Sequence, residues 1–173
     1  MKLRSKKTRS RLGVLIGSVL SSVALVIAVP NSASAAAAAC SGFGCDGHDP
    51  NIQTWQSGPV SPYGPYQAGG SFLYELRWGK TDGDQYSWGR LWYISGSGQG
   101  SWSVYVQRCT KSHSECYWRL GEKKGGASGW TAKVPEGTNY YYTRTPMYHN
   151  PSTHEMRACV DTYDGETLCT PWY

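Results

Sequence analysis

From Ser71 onward the chain alternates between apolar and polar positions. Phe72, Tyr74, Leu76 and Trp78 share one parity, opposite Ser71, Leu73, Glu75 and Arg77, which is the period of a half-buried β-strand. Tyr86, Trp88, Leu91, Trp92 and Ile94 outline a second strand, with Gly89 read as a bulge. Trp102, Val104 and Val106 mark one face of a third. Further strands are predicted over 139–147, 156–163 and 166–172. After the first 35 residues no segment keeps a 3.6-residue period, so the pattern predicts an all-β fold, a small disulfide-stabilised antiparallel sandwich or barrel. Residues 53–70, QTWQSGPVSPYGPYQAGG, are rich in Pro and Gly without a sustained period and read as an irregular arm. The expected organisation is a leader over 1–35, a disulfide-pinned irregular arm over 36–70 and a β-domain over 71–173.

The leader has its own pattern. Lys2, Arg4, Lys6, Lys7, Arg9 and Arg11 precede an apolar stretch from Leu12 to Val29, and Pro30 then leads into Asn31-Ser-Ala-Ser-Ala35. This is the layout of a secretory signal peptide cleaved after Ala35; an uncleaved anchor is the competing reading, against which Gly13, Gly17 and the serines dilute the apolar core. Removal of the leader changes the charge. Six of the 17 basic residues lie in it and none of the 12 acidic ones, so 11 face 12 in the remainder, a net charge of −1. The basic balance of the full chain therefore gives no reason to expect nucleic acid as a partner. Ala36 to Ala39 reads as a frayed tail.

All six cysteines follow the leader and fall into three close couples, Cys40 with Cys45, Cys109 with Cys116 and Cys159 with Cys169. Six cysteines allow 15 connectivities, of which local pairing closes the shortest loops. For the last couple the core pattern tests the pairing independently. Met156, Ala158 and Val160 define one face, Cys159 and Asp161 the other. A two-residue Asp164-Gly165 loop would set Val160 opposite Cys169 and mix the faces. A three-residue loop, Tyr163-Asp164-Gly165 with Gly165 left-handed, sets Val160 opposite Leu168 and Cys159 opposite Cys169. One register satisfies both patterns and predicts a direct cross-strand bridge.

The stretches CSGFGCDGHDP (40–50) and ELRWGKTDGDQYSWGRLW (75–92) resemble the YjfA-type secreted domain of unknown function found widely in actinobacteria. That pattern opens with Cys-x4-Cys-x-Gly-x-Asp-Pro, matched by Cys40, Cys45, Gly47, Asp49 and Pro50. Its later Leu-Arg-aromatic and Trp-x-Arg elements are matched by Leu76, Arg77, Trp78, Trp88 and Arg90. A third and a fourth family cysteine, due near Trp55 and Asp82, are missing together, as loss of one disulfide would require. The resemblance thus implies that Cys40 and Cys45 remain as a pair. It covers about residues 40–92 and implies export and disulfides without naming a reaction.

Candidate chemistry is sparse. Cys40, Cys45 and His48, and again Cys109, His113 and Cys116, lie close in sequence, but exported thiols oxidise and neither spacing is that of a zinc site. No metal and no cofactor is expected. His48, His113, His149 and His154 stand in polar contexts. No Gly-x-Ser-x-Gly elbow is present, and the glycine-rich SGSGQGS (95–101) feeds a strand rather than a helix N-terminus, which makes it a hairpin connection instead of a phosphate cradle. Asp46, Asp49, Glu75, Asp82 and Asp84 offer carboxylates for glycosidase chemistry, whose pairing spacing alone cannot establish.

Aromatic content stands out: 8 Trp, 13 Tyr and 2 Phe all follow the leader. Trp88, Trp92 and Trp102 share a parity and read as core; Tyr93 and Tyr105 take the opposite one, and the run Tyr140 to Tyr142 must place a ring on each face. Tyr63, Tyr66, Tyr93, Tyr105 and Tyr141 are accordingly the candidate binding residues. The reading is a secreted, non-catalytic domain that binds a cell-envelope glycan or another exported protein, with no nucleic acid and no membrane after leader removal. The alternatives are a protease inhibitor presenting Lys111 on the Cys109–Cys116 loop and a small extracellular hydrolase.

Overall fold

The computed structural model describes residues 41–94, 102–125, 132–133 and 140–173. Every described residue belongs to one compact unit within Ala35–Tyr173. The leader, the alanine tail, Cys40 and the 95–101 connection lie outside the described residues.

Two antiparallel sheets account for most of the described chain. The larger contains β1 (Ser57–Val60), β2 (Tyr66–Gly69), β3 (Phe72–Thr81), β4 (Asp84–Ile94), β7 (Ala132–Lys133), β8 (Tyr140–Arg144) and β9 (Tyr148–His149). The smaller contains β5 (Trp102–Thr110), β6 (Cys116–Gly125), β10 (His154–Asp161) and β11 (Thr167–Cys169), in the order β11-β10-β5-β6. Long β3 and β4 form the spine of the larger sheet: β1 and β2 share the free edge of β3, while β8 and β9 share that of β4. No helix among the described residues is long and apolar enough to cross a membrane.

The all-β, disulfide-stabilised sandwich predicted from period two is the fold observed. Residues 41–56 keep an irregular course, with two 3₁₀ turns at Gly42–Cys45 and Pro50–Ile52. The rest of the arm departs from expectation, because Ser57–Val60 and Tyr66–Gly69 pair with β3 as strands. Both are four-residue edge strands. Pro59 is tolerated in β1 because an outermost strand can lack one N–H without breaking a ladder.

The sheets pack through Phe72, Tyr74 and Leu91 against Trp102, Val104 and Val160, and through Leu76 against Val106, Met156 and Ala158. Gly89 is no bulge: the β3–β4 register runs through Leu76↔Gly89 without a shift. Glycine is needed there because a Cβ would stand 3.0 Å from Val104 Cγ2 in the facing sheet. On β4, therefore, the odd positions face the sandwich interior.

At the C-terminal hairpin the observed register is Cys159↔Cys169 and Val160↔Leu168, with Cys159 and Cys169 bonded as a disulfide. Gly165 has φ 89° and closes the three-residue loop by donating to the Thr162 carbonyl at 3.1 Å. Cys109 and Cys116 are also directly opposite and bonded. Cys45 is fully buried and disulfide-bonded. Each described disulfide pair thus joins neighbouring strands of the smaller sheet.

Candidate binding groove

The even positions of β4 face away from the smaller sheet, yet they are not bare. Residues 41–56 fold across this outer face and bury a second core of Cys45, Tyr86, Trp88 and Met147, with Trp55 packed against it. Trp55 stacks on Trp88 with centroids 5.1 Å apart and planes 20° apart, and its Nε1 donates to the Pro50 carbonyl. Gly79 makes room, since a Cβ there would lie 2.5 Å from the Trp55 ring.

Polar clamps hold this segment down. Asp46 accepts from the His149 amide at 2.6 Å and from Arg108 Nη1 at 2.7 Å. The Gly42 amide donates to Asp84 at 2.7 Å, and Gly47 and His48 exchange backbone hydrogen bonds with Met147. Tyr86, buried and close to Asp84 and Asp46, has its phenol pushed up to about 12 and stays protonated as a donor to Cys45 Sγ. Asp49 caps the second turn by accepting from the Asn51 amide at 2.9 Å, and it also accepts from Arg144 Nη2, at 2.7 and 2.9 Å, and from Arg144 Nε, at 3.3 Å. Burial alone would raise the Asp49 carboxyl; the Asn51 amide and the Arg144 guanidinium outweigh it and hold the group below its ordinary value. From Ser41 to Pro50, the opening stretch is thus a set of turns whose carboxylates fasten it to the sheet; Cys40 lies outside the described residues.

Next to this cover the outer face turns cationic. Directly opposed residues share a face, so the pairs Arg77↔Trp88, Glu75↔Arg90, Arg90↔Arg144 and Trp92↔Tyr142 place three arginines among three aromatic rings. Arg90 lies 4.0 Å over the Trp92 ring and 5.9 Å from that of Tyr142; Arg144 is 5.8 Å from Tyr142. Glu75, 2% exposed, is the internal counter-ion. It accepts from Arg90 Nε at 2.5 Å and from the Ser61 hydroxyl, with Arg77 Nη1 at 3.9 Å. Arg77 Nη2 donates to the Pro59 carbonyl at 2.7 Å, while its buried Nε has no hydrogen-bond partner among the described residues.

Two cavities open along this face. One, of about 250 Å³, has walls that include Pro50, Trp55, Arg77, Trp88, Arg90 and Tyr142. The other, of about 330 Å³, includes Gly47, Asp49, Lys123 and Pro146. Both are bounded by Pro50 and Arg144, so they are neighbours on this face, and together they are called the groove. Along it, Arg77, Arg90, Arg144 and Lys123 face two carboxylates, Glu75 and Asp49.

The five tyrosines singled out from the sequence are dispersed. Tyr105 is 2% exposed, covered by Arg119 at 4.1 Å, with its hydroxyl on Asp161; it presents no face to a ligand. Tyr66 and Tyr93 are half-buried against the Phe72 cluster. Tyr63 is half-buried edge-on to Tyr173, and Tyr141 is half-buried beside Tyr93. None of the five lines the groove. Trp88 and Trp102 are buried as predicted, but in different cores, and Trp92 is half-buried under Arg90. The groove residues Trp55, Arg77, Arg144 and Tyr142 were missed because they come from three separate segments, the 41–56 cover, β3 and β8. The local signal was Trp88-x-Arg90-x-Trp92, three large side chains on one face of one strand.

Among the described residues no group of three or more His, Cys, Asp and Glu side chains could hold a metal ion. His149 Nε2 lies 3.6 Å from Asp84 Oδ1, a His–carboxylate couple at a separate cavity. Comparison with protein-family models, with curated proteins and with solved structures finds no match to this chain.

Proposed function

We propose that this is a secreted, non-catalytic binding domain that holds an acidic cell-envelope glycan in the groove on the outer face of the larger sheet. The observation that carries the reading is the alternation of guanidinium groups and flat rings along two neighbouring cavities. Sugar rings stack on Trp and Tyr faces, while carboxylate or phosphate substituents are matched by the planar donor fork of arginine. Neighbouring cavities with cations at intervals suit a repeating polymer better than a single small molecule. Glycan fits better than a protein partner because the lining is polar and charged, whereas the centre of a protein interface is depleted of charge. Pro50, Arg77, Trp88 and Arg90, four positions of the resemblance to YjfA-type domains, all line the same cavity. Export is supported by the leader pattern and by disulfides, which persist in oxidising compartments.

The test is retention of the secreted chain on immobilised polygalacturonate, with dextran and poly-glutamate as controls. Retention on the polyuronate alone, weakened by added salt, is the expected result. Flow-through on polygalacturonate, or equal retention on poly-glutamate, overturns the glycan assignment. Mass analysis of protein from culture medium should find a chain beginning at Ala36; recovery of the full leader in the cytosol overturns export.

A further inference from the structure

The carboxylate–arginine pairs around the groove and its cover differ in how open they are. Glu75, paired with Arg90, is 2% exposed. The Asp46 side chain is 22% exposed and that of its partner Arg108 6%. Asp49, paired with Arg144, is 46% exposed. It is also the one acidic side chain among the residues that line the two cavities of the groove.

Asp49 does two separable things. As the cap of the second turn it accepts from the Asn51 amide through Oδ1, a role that asparagine or serine fills about as well. Against Arg144 it uses both carboxylate oxygens: Nη2 stands 2.7 Å from Oδ1 and 2.9 Å from Oδ2, and Nε 3.3 Å from Oδ1. That fork is what a guanidinium offers to the carboxylate of a ligand. Arg144 is, moreover, the arginine common to both cavities. An anion that arrives there meets donors already taken by a carboxylate of the chain itself, which is ionised at neutral pH because its carboxyl is held below its ordinary value. Being tethered, Asp49 competes at a high effective concentration. An ion pair with a half-exposed member is worth little net, however, so its partner is exchangeable. A polymer that meets Arg77, Arg90 and Lys123 at the same time has the further contacts needed to win the exchange.

We infer that Asp49 is an internal competitor that sets the affinity of the groove: an anionic group of the bound polymer takes the Arg144 fork by displacing the Asp49 carboxylate. The inference rests on the reading of the groove as a site for an acidic glycan.

Asp49→Asn removes the charge and keeps the cap. In calorimetric titration of the secreted chain with polygalacturonate at several salt concentrations, Asp49→Asn should bind about tenfold or more tightly than the wild type, the scale of one charge-assisted contact. Its affinity should also fall more steeply with added salt, because one more uncompensated cation meets the polymer, a change that a merely structural role of Asp49 would not produce. Asp49→Ser, which likewise caps the turn, should show the same gain. Glu166→Gln makes the same change of net charge at an exposed residue that lines neither cavity, and should leave both quantities as they are. Binding by the wild type with equal or weaker binding by both Asp49 variants would make Asp49 a clamp of the cover alone, overturning the inference while the glycan reading stands. Absence of binding by the wild type and both variants would overturn the glycan reading and the inference with it. A gain shared by Glu166→Gln would be a bulk effect of charge and would also overturn the inference.

Discussion

On the outer face of the smaller sheet Arg119 lies over Tyr105 and donates to both Glu122, at 2.9 Å, and Asp161, at 2.5 Å. Asp161 also accepts from Thr167 and Tyr105, and Arg157 is taken up by Gln107 and the Trp172 ring. On the outer face of the larger sheet Arg90 lies over Trp92 in much the same way, but Arg144 leans on a half-exposed Asp49 at the wall of a cavity. Both faces stack arginine on aromatic rings. They differ in setting: Arg119 and Arg157 line neither cavity of the groove and are tied down on the surface, whereas Arg77, Arg90 and Arg144 stand in the wall of a cavity that a ligand can enter. An arginine–aromatic pair by itself therefore says little about binding.

The largest effect that would sharpen this contrast is at Glu75. Glu75→Gln leaves the largely buried Arg90 without its counter-charge and should cost about 3–5 kcal/mol, read as a lower denaturation midpoint. Asp161→Asn on the other face removes a partner from an Arg119 that is half exposed and should cost about 1 kcal/mol or less, because solvent screens the pair. Equal losses would break the comparison.

Next is the covalent asymmetry. Replacing both Cys159 and Cys169 by alanine should cost about 2–3 kcal/mol. Because this link and the Cys109–Cys116 link both lie within the smaller sheet, hydrogen exchange in the double variant should rise first in β10 and β11, before β3 and β4.

That hairpin was legible because two independent patterns, the Met156/Ala158/Val160 parity and the cysteine positions, admit a single register. The groove was not legible, for a reason of the same kind. Period two says which residues share a face but not which face is interior. On β4 both are covered, the odd side by Val104 and Ala158 and the even side by residues 41–56, so Trp88 reads as ordinary core. The close approach at Gly89 held the missing information, since glycine in a strand marks a bulge or a packed neighbour and only the neighbour turned out to be there. β1 and β2 escaped notice because short edge strands tolerate Pro and Gly. Tyr105 was misread as exposed because what covers it is a charged side chain on an adjacent strand, which no apolar pattern records.

Smaller effects come with pH. Arg119 hydrogen bonds hold the Glu122 carboxyl below its ordinary value, and the same guanidinium, working against burial, does so for Asp161. A carboxylate whose folded pKa is depressed stabilises the fold above its unfolded pKa and loses that contribution as pH falls through the folded one. Arg119→Ala should therefore flatten the stability profile below the ordinary carboxylate range. His149, depressed by burial from 6.5, has the same sign: its contribution is complete above about 6.5 and is lost as pH falls through the folded value. His149→Phe should remove the slope that begins there; a slope unchanged in thermal melts from pH 7 downward would assign it to another group.

The most direct test of the contrast between the two arginine–aromatic faces compares Arg144→Ala with Arg119→Ala for affinity to polygalacturonate at fixed ionic strength. A loss of about tenfold or more for Arg144→Ala, the scale of one charge-assisted contact, with no change for Arg119→Ala, is the predicted result. Equal losses in the two variants, or binding that ignores both, would contradict it.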